Sequence, residues 1–126
     1  MIKALTCAAL LLSVSVRAET LTGVWSGDHM VATFTDTGAT FEQDCAGGAL
    51  TGKVNLNRKR RFAYRGGYQT YGAGPQREDD SGMPPAMFTG AVSGDTLLLT
   101  IRPLHETTAH AYRLKRGARI KLLRCY

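Results

Sequence analysis

The chain reads as a single all-β domain, an antiparallel up-and-down meander closing into a small barrel, with a β-sandwich as the alternative. Three observations lead there. Beyond residue 18 apolar side chains alternate with a period of two, and helical spacing is hard to find. Turn clusters such as Asp36-Thr37-Gly38, Ser93-Gly94-Asp95 and Arg116-Gly117 recur about every ten residues. Leu21-Thr22-Gly23, Leu50-Thr51-Gly52 and Phe88-Thr89-Gly90 share one pattern, in which a glycine lets a strand coil without a side chain striking the opposite wall.

At 126 residues there is room for one domain. Lys3, the apolar run Ala4 to Val16 and the small-x-small Val16-Arg17-Ala18 read as a signal peptide over residues 1–18, too short to span a bilayer. Residues 19–126 then form the β domain. Without Lys3 and Arg17 it keeps 14 basic residues against 10 acidic, a charge of +4 that favours solubility more than it names a partner. It also keeps two cysteines, Cys45 and Cys125. An even count in an exported chain reads as one disulfide, with two buried thiols as the alternative.

Along the domain, Gly23-Val24-Trp25 opens the first strand and carries the only Trp. His29 to Thr35 places Met30, Ala32 and Phe34 on one face, and Ala39 to Cys45 places Phe41 and Cys45 together. Ala49 to Leu56 alternates Leu50, Gly52, Val54 and Leu56 with polar residues, as one half-buried strand does. A turn at Asn57 to Arg60 leads into Arg61 to Tyr71, with Phe62, Tyr64 and Tyr68 on one side and a bend or bulge at Gly66-Gly67. Residues 72–85 are rich in Gly, Pro and charge and form the long loop. Ala86 to Val92 and Thr96 to Arg102 make a hairpin with Phe88, Val92, Leu97, Leu99 and Ile101 inward. Thr108 to Leu114 and Arg119 to Cys125 make a last pair.

Gly23-x-Trp25 at the start of a small β-meander resembles the calycin group of lipocalins and avidins. That resemblance implies a Trp closing one barrel end under a basic residue from the last strand: Arg124, Lys121 or Arg113. Trp25-Ser26-Gly27-Asp28-His29, Asp44-Cys45-Ala46, Pro84-Pro85-Ala86 and Phe88-x-Gly90-x-Val92-x-Gly94-Asp95-Thr96 are also similar to a family of small secreted bacterial proteins of unknown function.

Candidate sites are few. A hairpin at Thr37-Gly38 sets His29 near Cys45 and Met30 near Asp44, so that Asp28, His29 and Asp44 form a polar rim. As neighbours on a strand, Asp28 and His29 point to opposite faces, which suits backbone hydrogen bonds better than metal ligation. His105, Glu106 and His110 are expected not to share one face. No Gly-x-Ser-x-Gly elbow and no phosphate-cradling loop stands out. Arg58-Lys59-Arg60-Arg61 reads as a solvated hairpin tip more than a nucleic-acid surface, and an acidic envelope polymer is its residual partner.

The expectation is an exported, non-enzymatic binding module in the periplasm or medium, contacting a protein or cell-envelope component through one rim and the 72–85 loop. One alternative is a barrel binding an apolar ligand between Trp25, Phe62, Tyr64, Tyr68 and Phe88. Another is an inhibitor of an exported hydrolase. No cofactor, metal, nucleic acid or membrane span is expected.

Overall fold

A computed structural model describes residues 19–71 and 82–123. Among them are β1 (Glu19–Thr20), β2 (Gly23–Gly27), β3 (Met30–Thr35), β4 (Gly38–Gln43), β5 (Ala46–Thr51), β6 (Asn55–Leu56), β7 (Arg61–Thr70), β8 (Pro85–Ser93), β9 (Thr96–Pro103) and β10 (His110–Arg116). Eight of these, β2 to β5 and β7 to β10, pair antiparallel in chain order, and β10 pairs back onto β2 to close the barrel. The architecture is consistent with a calycin-like fold. Among the described residues no helix is long and apolar enough to cross a membrane. The expected signal peptide, most of the long loop, Arg124 and Cys125 lie outside the described residues.

Period-two patterning decides what faces inward. Met30, Ala32 and Phe34 of β3, Phe41 of β4, Phe62 of β7, Phe88 of β8 and Leu97, Leu99 and Ile101 of β9 are all buried, as the alternation predicts. Phe41 stacks on Phe88 at 4.8 Å between ring centroids, and Phe34 meets Phe41 edge-on at 5.7 Å. An eight-stranded barrel is just wide enough for side chains to fill, and aromatic residues fill this one. The shared glycine pattern hides different tasks. Gly23 and Gly52 take positive φ, whereas a Cβ on Gly90 would lie 2.2 Å from the Phe62 ring, so Gly90 makes room for that ring.

The strand boundaries differ from the sequence reading in three places. The β3–β4 turn has only two residues, Asp36 and Thr37, so Gly38 already pairs with Thr35 and the ladder slides by one. Met30 therefore faces Gln43, not Asp44. The stretch from Ala49 to Leu56 is broken at Gly52 (φ 86), and its second part becomes β6, which pairs with β1 beneath the barrel. No strand forms over 118–123, because β10 already has β9 on one side and β2 on the other. In that tail Ala118, Ile120 and Leu122 are half-buried while Arg119, Lys121 and Leu123 are exposed.

The two ends of the barrel are unlike. At the base, Leu21 donates to the Val54 carbonyl at 2.8 Å, and Leu21, Val54 and Leu56 are buried as a plug. Trp25, fully buried, donates from Nε1 to the Thr22 carbonyl at 3.1 Å. Arg116 lies over its ring, with Cζ 4.5 Å from the centroid. The covering cation is thus none of the three expected. Arg116 pairs directly with Trp25 across the β10–β2 ladder, while odd-numbered Arg113 faces outward. At the other end the barrel opens into a mouth, framed by the β2–β3 and β4–β5 turns and by residues 104–109.

The expected Cys45–Cys125 disulfide is not found among the described residues, and Cys125 lies outside them. Cys45 is the one cysteine among the described residues, and no two cysteine sulfurs are close there. It follows Asp44 in the exposed β4–β5 turn and does not share the face of Phe41. Cys45 is engaged and is not an open thiol.

Candidate functional site

The mouth is built by residues that end strands. Tyr68, Gln69 and Thr70 finish β7, Pro103 finishes β9, and His110 and Tyr112 begin β10. Between β9 and β10 the chain turns tightly, with Glu106 donating from N–H to the Pro103 carbonyl at 2.9 Å. That turn presents His105 and Glu106 to the opening. Together with Pro84 these residues line a cavity of about 450 Å³, within the range of sites that hold a small molecule or a projecting side chain.

Its floor is polar. Tyr68 donates its hydroxyl to Gln43 Oε1 at 2.5 Å. Burial in the floor, with Tyr112 beside it and Glu106 nearby, pushes the Tyr68 phenol well above its ordinary value, because the phenolate would lose hydration among groups that repel it. Tyr68 therefore stays a neutral donor. At the rim, Glu106 stands between two imidazoles, with Oε1 at 3.6 Å from His105 Nε2 and Oε2 at 3.7 Å from His110 Nε2. The three residues thus converge although the sequence suggested otherwise, since His105 and Glu106 ride on the turn and not on the strand. They do not form a chelating set: among the described residues no group of three or more His, Cys, Asp or Glu is placed to hold a metal ion.

The rim of Asp28, His29 and Asp44 does assemble, by a different route from the one expected. Asp28 (φ 48) and His29 (φ 60) are the two central residues of the β2–β3 turn, the backbone of a type I′ hairpin. His29 is thereby aimed sideways, with Nδ1 at 3.2 Å from Asp44 Oδ2. Asp28 Oδ2 accepts from the Arg113 backbone N–H at 2.7 Å, and Asp44 Oδ1 accepts from the Leu123 N–H at 2.7 Å. The two carboxylates stitch β10 and the tail to the barrel rim.

The five residues expected around an apolar ligand are not gathered at one opening. Phe62 and Phe88 pack in the core, Trp25 lies at the base, and Tyr64 accepts from the Asn55 N–H at 3.0 Å near the base. Tyr68 alone of the five lines the mouth. The sequence reading missed Gln43 and Tyr112. The signal for Tyr112 was its even position in a strand ending at Leu114, but strand pairing was needed to bring it beside Tyr68. No family model, curated protein or solved structure matches this chain.

Proposed function

We propose that the chain is an exported, non-enzymatic binding module of calycin-like architecture that engages a protein or cell-envelope component at its mouth. The observation that carries this reading is the asymmetry of the barrel: its interior is filled and its base plugged, while the mouth gathers Tyr68, Tyr112, His105, His110 and the Glu106 carboxylate around about 450 Å³. Ring faces with a carboxylate and a side-chain amide beneath suit an inserted donor group, such as a basic or amide side chain carried by a partner. Inhibition of an exported hydrolase is a special case of the same contact. The non-enzymatic part rests on the sequence, which offers no nucleophile elbow or phosphate loop.

A second reading, a free small molecule in the same mouth, is favoured by the cavity volume alone. Native mass spectrometry of the chain isolated from the cells that make it separates the two. Wild type is expected to carry a bound partner of protein mass, which the Glu106→Gln/His110→Ala double variant loses. A retained mass of a few hundred daltons would point to the second reading, and equal retention by both proteins would move the site away from the mouth.

A further inference from the structure

The four consecutive strands β7 to β10 contain no Asp or Glu, yet they carry seven basic side chains if the terminal Arg116 and His110 are counted with Arg61, Arg65, Arg102, Arg113 and Lys115. Register decides where these point. Phe62, Phe88, Leu99 and Leu114 face the core, so the odd residues of β7 and β10, with Thr89 and Ala91 of β8 and Leu98 and Thr100 of β9, form the outer wall. Across it runs one ladder row, Arg61–Ala91–Leu98–Arg113, and next to that a row of small residues, Ala63–Thr89–Thr100–Ala111. A third row reads Arg65–Met87–Arg102.

At about 4.8 Å between strands, Arg61 and Arg113 stand about 14 Å apart along the wall, and Arg65 and Arg102 about 10 Å apart. None of Arg61, Arg65, Arg102 and Arg113 forms an ion pair with a described residue; Arg102 reaches only the Glu106 carbonyl, at 3.5 Å. Within this frame the wall is hollowed. A depression of about 380 Å³ opens between Arg61, Thr89, Ala91, Leu98 and Thr100, with Phe62 beneath it.

We propose that this wall is a docking face for an acidic polysaccharide, separate from the mouth. A pyranose ring fits the depression, the Thr89 and Thr100 hydroxyls offer hydrogen bonds to its own, and the arginines meet carboxylate or sulfate groups on neighbouring sugars. A bilayer suits the wall less well. The surface is convex, and Leu98, 51% exposed, is its one large exposed apolar side chain. Single-stranded nucleic acid also suits it less well, since no outward aromatic ring is there to stack on. Arg58 and Lys59 extend the positive field at the base end. Their turn is fixed by the Asn57 Oδ1, which accepts from the Lys59 N–H at 2.9 Å and the Arg61 N–H at 3.0 Å.

The test is calorimetric titration of the full chain with polygalacturonate oligosaccharides over a series of salt concentrations. Binding is expected to weaken linearly in log K against log salt as counterions return. The Arg65→Gln/Arg113→Gln variant is expected to lose at least about tenfold in affinity. Arg119→Gln/Lys121→Gln removes the same charge from the tail, off this wall, and is expected to lose less than about twofold by screening alone. Equal losses in the two variants would reduce the effect to net charge and overturn the proposal. So would the absence of binding at low salt, or tighter binding to phosphatidylglycerol vesicles or to single-stranded DNA than to the polysaccharide.

Discussion

Tyr68 ties the chemistry of single residues to the mouth. Its phenol is raised by burial first and by Tyr112 and Glu106 after that, which has a consequence for stability with a definite sign. Below about pH 10 folded and unfolded chains both hold the proton, and the contribution is constant. As pH rises past that value the unfolded chain releases it and the folded chain does not, so stability falls. Tyr68→Phe removes this source of alkaline loss. It also removes the hydrogen bond to Gln43, worth about 1 kcal/mol. Urea denaturation from pH 8 upward is therefore expected to show the variant weaker at neutral pH by about that amount, with a shallower decline above about pH 10. Parallel declines would mean that another group titrates. At this scale the sequence was legible for the core aromatics, whose period-two positions left no choice of face. It was not legible for Arg116, because which cation reaches Trp25 depends on a pairing between residues 91 positions apart in the chain.

Among the elements, the β2–β3 turn contributes most to organising the rim. Its left-handed backbone sends Asp28 to the Arg113 N–H and His29 to Asp44, so one turn links β2, the β4–β5 turn and β10. The two side chains are unequal in energy. Asp28→Ala leaves an N–H without its charged acceptor and is expected to cost about 1 to 3 kcal/mol. His29→Gly loses an exposed ion pair worth at most about 1 kcal/mol, and relief of the left-handed backbone, about 1 kcal/mol, offsets it. Chemical denaturation of the two variants should separate them clearly, and similar losses would show that His29 holds the turn as firmly as Asp28. The sequence placed Asp28, His29 and Asp44 at one rim, but as strand residues. A two-residue turn differs from a three-residue one by a single ladder step, and composition alone does not fix that step.

For the whole molecule, the decisive feature is a filled barrel with one closed and one open end. Trp25 sits at the closed end with no exposed surface. Its fluorescence is therefore expected to be blue-shifted, resistant to acrylamide, and unchanged by a panel of apolar ligands or by a ligand in the mouth. Quenching by any apolar ligand would show a calyx that reaches the base. Filling also explains why the expected ring of Trp25, Phe62, Tyr64, Tyr68 and Phe88 does not line one pocket: in a barrel this narrow, large inward residues meet each other before they enclose space.

The sequence by itself determined the all-β class, the meander, the inward set of β3, β8 and β9, and the placing of a polar rim, since each follows from local alternation and turn chemistry. Only the tertiary structure decided the register of β3 on β4, the break that makes β6, the cation over Trp25, the mouth around Tyr68 and Tyr112, and the acid-free wall of β7–β10. Each of these depends on which distant strands become neighbours. Barrel closure settles that through the packing of the whole interior, and no window of local sequence contains it.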